Sequence, residues 1–235
     1  MSGATPPEGL RTLSSPGPDA ARIVLIRHGQ GVVNVNGVIG GPLGCVGLTD
    51  LGRAQVSALA EHCRATGDLG DAMAVYASVL PRAIETARIV AASIGRTPTE
   101  VITDCGLCEL HPGDADGLVW ERYVETYDVP DWDVDPSQPL APAGESWNSF
   151  VDRVGDALES LADRHRGQRV VVGTHAGVIE ASIIRFLRAE PAGSDHTRLR
   201  LRTKHASLTE WERTDKGWLL LRYNGSSDFS GGRWS

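Results

Sequence analysis

Ile23-Val24-Leu25-Ile26-Arg27-His28-Gly29 joins an unbroken apolar run to an arginine, a histidine and a glycine. A β-branched run of this length reads as a buried strand, and Gly29 marks where the chain turns. The stretch therefore sets an imidazole and a guanidinium side by side at the carboxyl end of a strand. Open α/β sheets bind their ligands at that end. A histidine there serves as ligand, base or nucleophile, and an adjacent arginine suits an anionic partner.

The pattern returns at Val170-Val171-Val172-Gly173-Thr174-His175-Ala176-Gly177, a buried strand, a histidine and a small-residue turn into a helix. The free N–H groups of a helix N-terminus attract anions. Between the two, Ala72 to Ala77 reads as a strand. Ser78-Val79-Leu80-Pro81-Arg82 then places an arginine in the first turn after it. Arg82 to Ile94 reads as a helix with Ala83, Ala87, Val90 and Ile94 on a buried stripe. Thr49 or Asp50 caps a helix reaching about Cys63, with Leu51, Ala54, Ala58 and Leu59 near one face. A helix after Gly144 carries Phe150, Val154, Leu158 and Leu161, and the helix after His175 buries Ile179, Ile183 and Phe186. Leu199 and Leu201 alternate with Arg198, Arg200 and Arg202, which reads as a solvated strand face. Ser207 to Glu212 and Trp218 to Tyr223 flank the hairpin signal Asp215-Lys216-Gly217. Alternating strands and helices predict an α/β fold, a three-layer α/β/α arrangement around a mainly parallel central sheet. Residues 1–21, rich in Pro, Gly, Ser and Thr, read as a flexible extension, and 22–235 as one domain. Within it, 111–144 shows no sustained period and reads as a lid or insertion.

At 235 residues and 41% hydrophobic, the chain can bury a sizeable core. A net charge of −7 argues against broad nucleic-acid or anionic-membrane binding. No stretch is long enough to span a bilayer, and the first residues lack the apolar core of a signal peptide, so a cytoplasmic location is expected. Cys105-Gly106-Leu107-Cys108 has metal-knuckle or redox spacing but no second pair, so Cys45, Cys63, Cys105 and Cys108 read as reduced thiols. The loop containing Gly37, Gly40, Gly41, Gly44 and Gly47 lacks the Gly-Lys-Ser/Thr ending of a nucleotide loop and reads as a substrate-side loop.

Chemistry gathers at His28, His175, Arg27, Arg82 and Glu109, the last within Leu107-Cys108-Glu109-Leu110. Two guanidinium groups hold non-bridging phosphate oxygens through charge-assisted, bidentate bonds. A neutral imidazole can attack phosphorus, and a protonated carboxyl can supply the departing oxygen with its proton. No pair of carboxylates of the kind a glycosidase needs is evident. Among the other histidines, His111 reads as a loop residue or substrate contact, while His62, His165, His196 and His205 read as structural or exposed. Trp120, Trp132 and Trp147 read either as pocket lining or as lid packing.

Leu25-Ile26-Arg27-His28-Gly29-Gln30 with Asn34 resembles the signature of the histidine phosphatase, or phosphoglycerate-mutase-like, superfamily. Leu48 to Gln55, Tyr76-Ala77-Ser78 through Ala87, Leu107 to Leu110 with Asp116-Gly117, Gly144-Glu145-Ser146 and Thr174 to Gly177 extend the resemblance in order. It implies a phosphoglycerate-mutase-like fold with His28 as nucleophile, passing through a phosphohistidine. It implies that Arg27, Arg82 and His175 bind the phosphoryl group, that Glu109 is the proton donor, with Asp114 and Asp116 as nearby acids, and that Gln30, Asn34 and Ala176 line the substrate site. No metal or organic cofactor is implied. Gln30 stands where the family commonly has glutamate, Gly31 where it has Ser or Thr, and Glu180 where many members carry arginine. The expected activity is hydrolysis of a small phosphomonoester. The alternatives are a cofactor-dependent phosphoglycerate mutase and a catalytically silent phospho-ligand binding module. The mutase needs extra cations, whereas 111–144 offers only Arg122. The expected partner is the small phosphomonoester alone, with no nucleic acid or membrane; the oligomeric state, a homodimer included, is left open.

Overall fold

Strand β1 (Ala21–Arg27) lies at the centre of a six-stranded sheet, and the computed structural model describes residues 15–188 and 201–226. After β1 come α1 (Val32–Asn36), α2 (Asp50–Thr66), β2 (Ala72–Ala77), α3 (Pro81–Ser93), β3 (Ile102–Thr103), α4 (Trp120–Thr126), α5 (Trp147–Arg164), β4 (Arg169–Thr174), α6 (Ala176–Leu187), β5 (Leu208–Thr214) and β6 (Gly217–Gly225). The sheet order is β3-β2-β4-β1-β5-β6. The pairings β1–β4, β4–β2 and β2–β3 are parallel, whereas β5 runs antiparallel to both β1 and β6. The sheet is thus mixed, with the Asp215-Lys216 hairpin adding the antiparallel edge.

The uniform apolarity of β1 and β4 follows from cover on both faces. Ile23, Leu25, Val170 and Val172 pack on Phe150, Val154 and Leu158 of α5 and Ile179 of α6. The alternate residues Val24, Ile26 and Val171 pack on Val56 and Leu59 of α2 and Val90 of α3. Pro81 at the first position of α3 explains its start, because its missing N–H costs nothing there.

Register then builds the site. Arg27 pairs with Thr174 as the last residues of the β1–β4 ladder, so His28 and His175 leave the sheet side by side. The His28 N–H donates to the Thr174 carbonyl at 2.9 Å, and the Ser78 N–H to the Gly173 carbonyl at 3.0 Å. Two glycines let the turn after β1 dock on α2. A Cβ on Gly29 would sit 2.3 Å from the Gly52 carbonyl oxygen, and one on Gly52 would sit 2.1 Å from that of Gln30.

Several expectations change. The buried stripe of α2 is Gly52, Val56, Leu59, Ala60 and Cys63, while Leu51 is exposed; the backbone contact at Gly52 rotates the helix away from the expected face. Segment 111–144 contains α4, whose Tyr123 is fully buried against Ala115 and Ala141. Of the expected extension, 1–14 lies outside the described residues, but the following residues are tied down. Ser15 Oγ donates to Asp71 at 2.8 Å, and the Ala20 carbonyl accepts from Gly167 at 2.7 Å. Arg198, Leu199 and Arg200 lie outside the described residues, and 201–204 is not strand.

Candidate active site

His28 is buried, and its two ring nitrogens have unlike partners. Nδ1 lies 2.6 Å from the Gly29 carbonyl, which can only accept. Nε2 receives the Arg82 Nε–H at 3.1 Å, and a guanidinium can only donate. The network therefore fixes one tautomer, with the proton on Nδ1 and a lone pair on Nε2. Burial, then the Arg82 guanidinium, hold this imidazole well below the ordinary histidine range, so it is neutral at pH 7.

Two arginines flank it. Arg82 enters from the first turn of α3 and also donates to the Gly40 carbonyl at 2.8 Å. Arg27 is held from its far end by the Thr203 carbonyl, while its buried Nε has no partner. His175 stands edge-on to His28 with ring centroids 5.2 Å apart. Its Nε2 is engaged by Ser78 Oγ at 2.8 Å, and its buried Nδ1 is unpartnered. Burial, then Arg82, lower its pKa well below the ordinary value as well. Buried polar atoms without partners are rare, and two of them beside one imidazole mark a place where a ligand completes the network.

Glu109 arrives on the loop after the short turn Cys105–Leu107. Its Oε2 accepts the Gly177 N–H at the start of α6 at 3.2 Å. That approach depends on Gly177, because a Cβ there would lie 2.1 Å from Glu109 Oε1. Arg27, His28, Asn34, Arg82, Glu109 and Ala176 all line one cavity of about 330 Å³. The rest of its wall is largely apolar: Val33, Val38, Ile39, Leu110, Pro112, Leu140, Trp132 and Trp147. Gln30 is not in that lining; its Oε1 accepts from Thr49 Oγ1 at 2.9 Å. The other nearby acids are placed differently. Asp116 accepts the main-chain N–H groups of Gly41, Leu43 and Gly44, anchoring the glycine-rich loop, and Asp114 is exposed. Trp120, on α4, is half exposed outside the cavity lining.

Neighbouring residues explain the motifs around these groups. Thr86 Oγ1 accepts the Gly29 N–H at 3.3 Å, and Glu85 accepts the Leu48 N–H at 3.0 Å while pairing with Arg53. Sequence reasoning missed His205. Its Nδ1 donates to the His28 carbonyl at 3.1 Å and its Nε2 faces Arg27 NH2 at 3.5 Å, so it braces both residues. It also missed Arg153, whose guanidinium bonds the carbonyls of Cys105, Gly106, Cys108 and Glu109 and the carboxylate of Glu145. Neither residue sits in a strand-end motif, and both act mainly on main-chain carbonyls, which leave no side-chain pattern to read. Among the described residues no helix is long and apolar enough to cross a membrane.

The model of the histidine phosphatase superfamily (branch 1) matches residues 23–226. The chain is 38% identical over 181 residues to phosphoglycerate mutase-like protein 4 of Arabidopsis thaliana, covering 74% of this chain and 73% of that one. It is 32% identical over 216 residues to a metal-independent phosphoserine phosphatase of the same organism, covering 90% and 84%. Among solved structures, mycobacterial glucosyl-3-phosphoglycerate phosphatase in complex with VO3 superposes with a TM-score of 0.69 at 26% identity, covering 87% of this chain and 99% of that one.

Proposed function

The chain belongs to the histidine phosphatase superfamily, and from that premise we propose that it is a metal-independent phosphomonoesterase that works through a phosphohistidine on His28. The observation that carries this reading is the tautomer of His28: a neutral ring, proton on Nδ1, lone pair on Nε2, at a cavity lined by two arginines. In the first step Nε2 attacks phosphorus and the bond to the leaving oxygen breaks. Glu109, in its protonated form, gives that oxygen its proton. In the second step water attacks phosphorus and the N–P bond breaks. Glu109, now a carboxylate, takes the water proton, and phosphate departs. Arg82 and the free Nε of Arg27 supply donors to the non-bridging oxygens and offset their charge through both steps, and the free Nδ1 of His175 adds a neutral donor in the tautomer that places the ring proton there, with Ser78 Oγ donating to Nε2.

The lining also bears on the leaving group. Among the described residues the wall holds no cation beyond Arg27 and Arg82, and Trp132, Trp147, Leu110 and Leu140 present apolar surface. That favours an alcohol without a second phosphate and argues against a mutase, which needs cations for a carboxylate and a second phosphate. The test uses one chelator-treated preparation on a panel of phosphomonoesters, alongside a coupled mutase assay with 2,3-bisphosphoglycerate. Hydrolysis in excess of mutase turnover is expected. Efficient mutase turnover with negligible hydrolysis reverses the reading, and inactivity on both fits only a binding module.

A further inference from the structure

Three side chains outside the cavity lining converge around the turn that carries Glu109. Cys105 Sγ lies 3.6 Å from Cys108 Sγ and 3.4 Å from His111 Nε2, and all three atoms fall within 4.8 Å of one another. The spacing is that of reduced thiols in contact, and it bears on two uses of such a group. A disulfide requires sulfurs about 2.05 Å apart. Around a tetrahedral Zn²⁺, with bonds of about 2.3 Å to sulfur and about 2.0–2.1 Å to nitrogen, neighbouring sulfurs lie about 3.8 Å apart and sulfur and nitrogen about 3.6 Å. The two edges at Cys105, 3.6 Å to sulfur and 3.4 Å to nitrogen, match those of that tetrahedron within a few tenths of an ångström, and the third, between Cys108 and His111, is no longer than 4.8 Å.

The surroundings hold the three groups in place. Arg153 NH1 donates to the carbonyls of Cys105, Gly106 and Cys108 at 3.0–3.2 Å, which fixes the turn. The same guanidinium grips the Glu145 carboxylate at 2.6 and 2.7 Å. Glu145 in turn accepts the His111 main-chain N–H at 2.8 Å and stands 3.6 Å from His111 Nδ1. The Glu145 carboxylate thus lies behind one ring nitrogen, a few tenths of an ångström beyond hydrogen-bond reach, with the Cys105 thiol before the other, close to the outer arrangement of a metal-ligating histidine. Cys105 is exposed, so a fourth position is open to water, whereas Cys108 is buried beside Ser78.

We propose that Cys105, Cys108 and His111 form a three-residue site for a thiophilic divalent cation, Zn²⁺, bound through two thiolates and Nε2 with water as fourth ligand. Binding displaces one proton from each thiol, so each ion taken up releases two. No step at His28 passes through this ion. The site and the phosphatase reading therefore stand or fall separately.

The test uses the full chain, stripped with chelator and kept reduced by a phosphine, titrated with Co²⁺ and then with Zn²⁺. One equivalent of Co²⁺ is expected, with a thiolate-to-cobalt absorption band that Zn²⁺ abolishes, since Zn²⁺ binds such sites more tightly. C105S should lose about half of the band and bind at least tenfold more weakly, and H111Q should keep the band but also weaken about tenfold or more. H28A, which leaves the three ligands intact, should titrate as the parent does. Thermal melts of each variant establish that it is folded. Absence of the band, or unchanged affinity in folded C105S and H111Q, overturns the proposal. So does binding that is lost in H28A and kept in C105S, which would move the ion to the phosphoryl cavity. A Cys105–Cys108 disulfide on mild oxidation, together with no metal uptake by the reduced chain, would make the pair a redox element instead.

Discussion

Arg82 Nε donates a 3.1 Å hydrogen bond to Nε2 of His28, with both side chains buried. The arginine thus covers the lone pair that the proposed chemistry uses, and it must pass its donor to a phosphoryl oxygen as phosphorus arrives. A lysine carries the charge but not the fork that reaches both His28 and the Gly40 carbonyl. Arg82→Lys should lower kcat/KM by about 10²–10³-fold, the scale of a lost transition-state donor. Steady-state kinetics on a folded variant check this; a loss under about threefold would mean that the fork is not used.

Glu109 should matter in proportion to the demand of the leaving group. Glu109→Gln keeps the shape and removes the transferable proton. It should slow an alkyl phosphate far more than p-nitrophenyl phosphate, whose phenolate leaves with little help. Equal losses on both substrates would assign Glu109 another role, and no loss on either would place the donor elsewhere.

Gly177→Ala tests the same acid from the opposite side. The added methyl would meet Glu109 Oε1 at 2.1 Å, so the carboxyl must move. The variant should reproduce the leaving-group selectivity of Glu109→Gln while leaving hydrolysis of p-nitrophenyl phosphate within about tenfold of the parent. Unchanged alkyl phosphatase activity would show that the Gly177–Glu109 contact does not position the acid.

Acid should destabilise the fold in a defined window. Burial is the leading cause that lowers the pKa of His28, His175 and His205, below 6.5 in each case. Just below that value the unfolded chain binds more protons than the native chain, so stability rises with pH through the window and falls as pH drops below 6.5. Each of the two fully buried histidines, His28 and His175, contributes up to about 1.4 kcal/mol per pH unit there, or about 3–6 °C of Tm for a chain of this size, and the partly exposed His205 contributes less. Melts at about pH 7.5 and about pH 5.5 should show a clear drop in Tm. A flat or rising Tm would mean that the site histidines are charged in the native state.

The parallel part of the fold was legible because β1 and β4 are covered on both faces, and a doubly covered strand is written as an unbroken apolar run. Their shared ladder carries His28 and His175 to one edge, and the helix behind β2 brings Arg82 to them. The mixed character of the sheet was visible only in the hairpin signal. The stripe of α2 was misread because a backbone contact at Gly52, invisible to hydrophobic periodicity, sets its rotation. Helix α4 was missed because Tyr123 is its one buried residue, too few to generate a period. His205 and Arg153 grip main-chain carbonyls from distant positions, and the meeting of Cys105, Cys108 and His111 depends on how the loop folds back rather than on spacing alone.

The most direct measurement of the central claim is the position of the phosphoryl group in enzyme quenched during turnover. The chain is mixed with an excess of substrate, denatured in base within the first turnover, digested and mapped by mass spectrometry. The tautomer of His28 predicts a phosphoryl group on Nε2 of His28, at most one per chain, absent from His28→Ala, which should also lose several orders of magnitude in turnover. A phosphoryl group on another residue, or near-normal turnover by folded His28→Ala, would contradict the account.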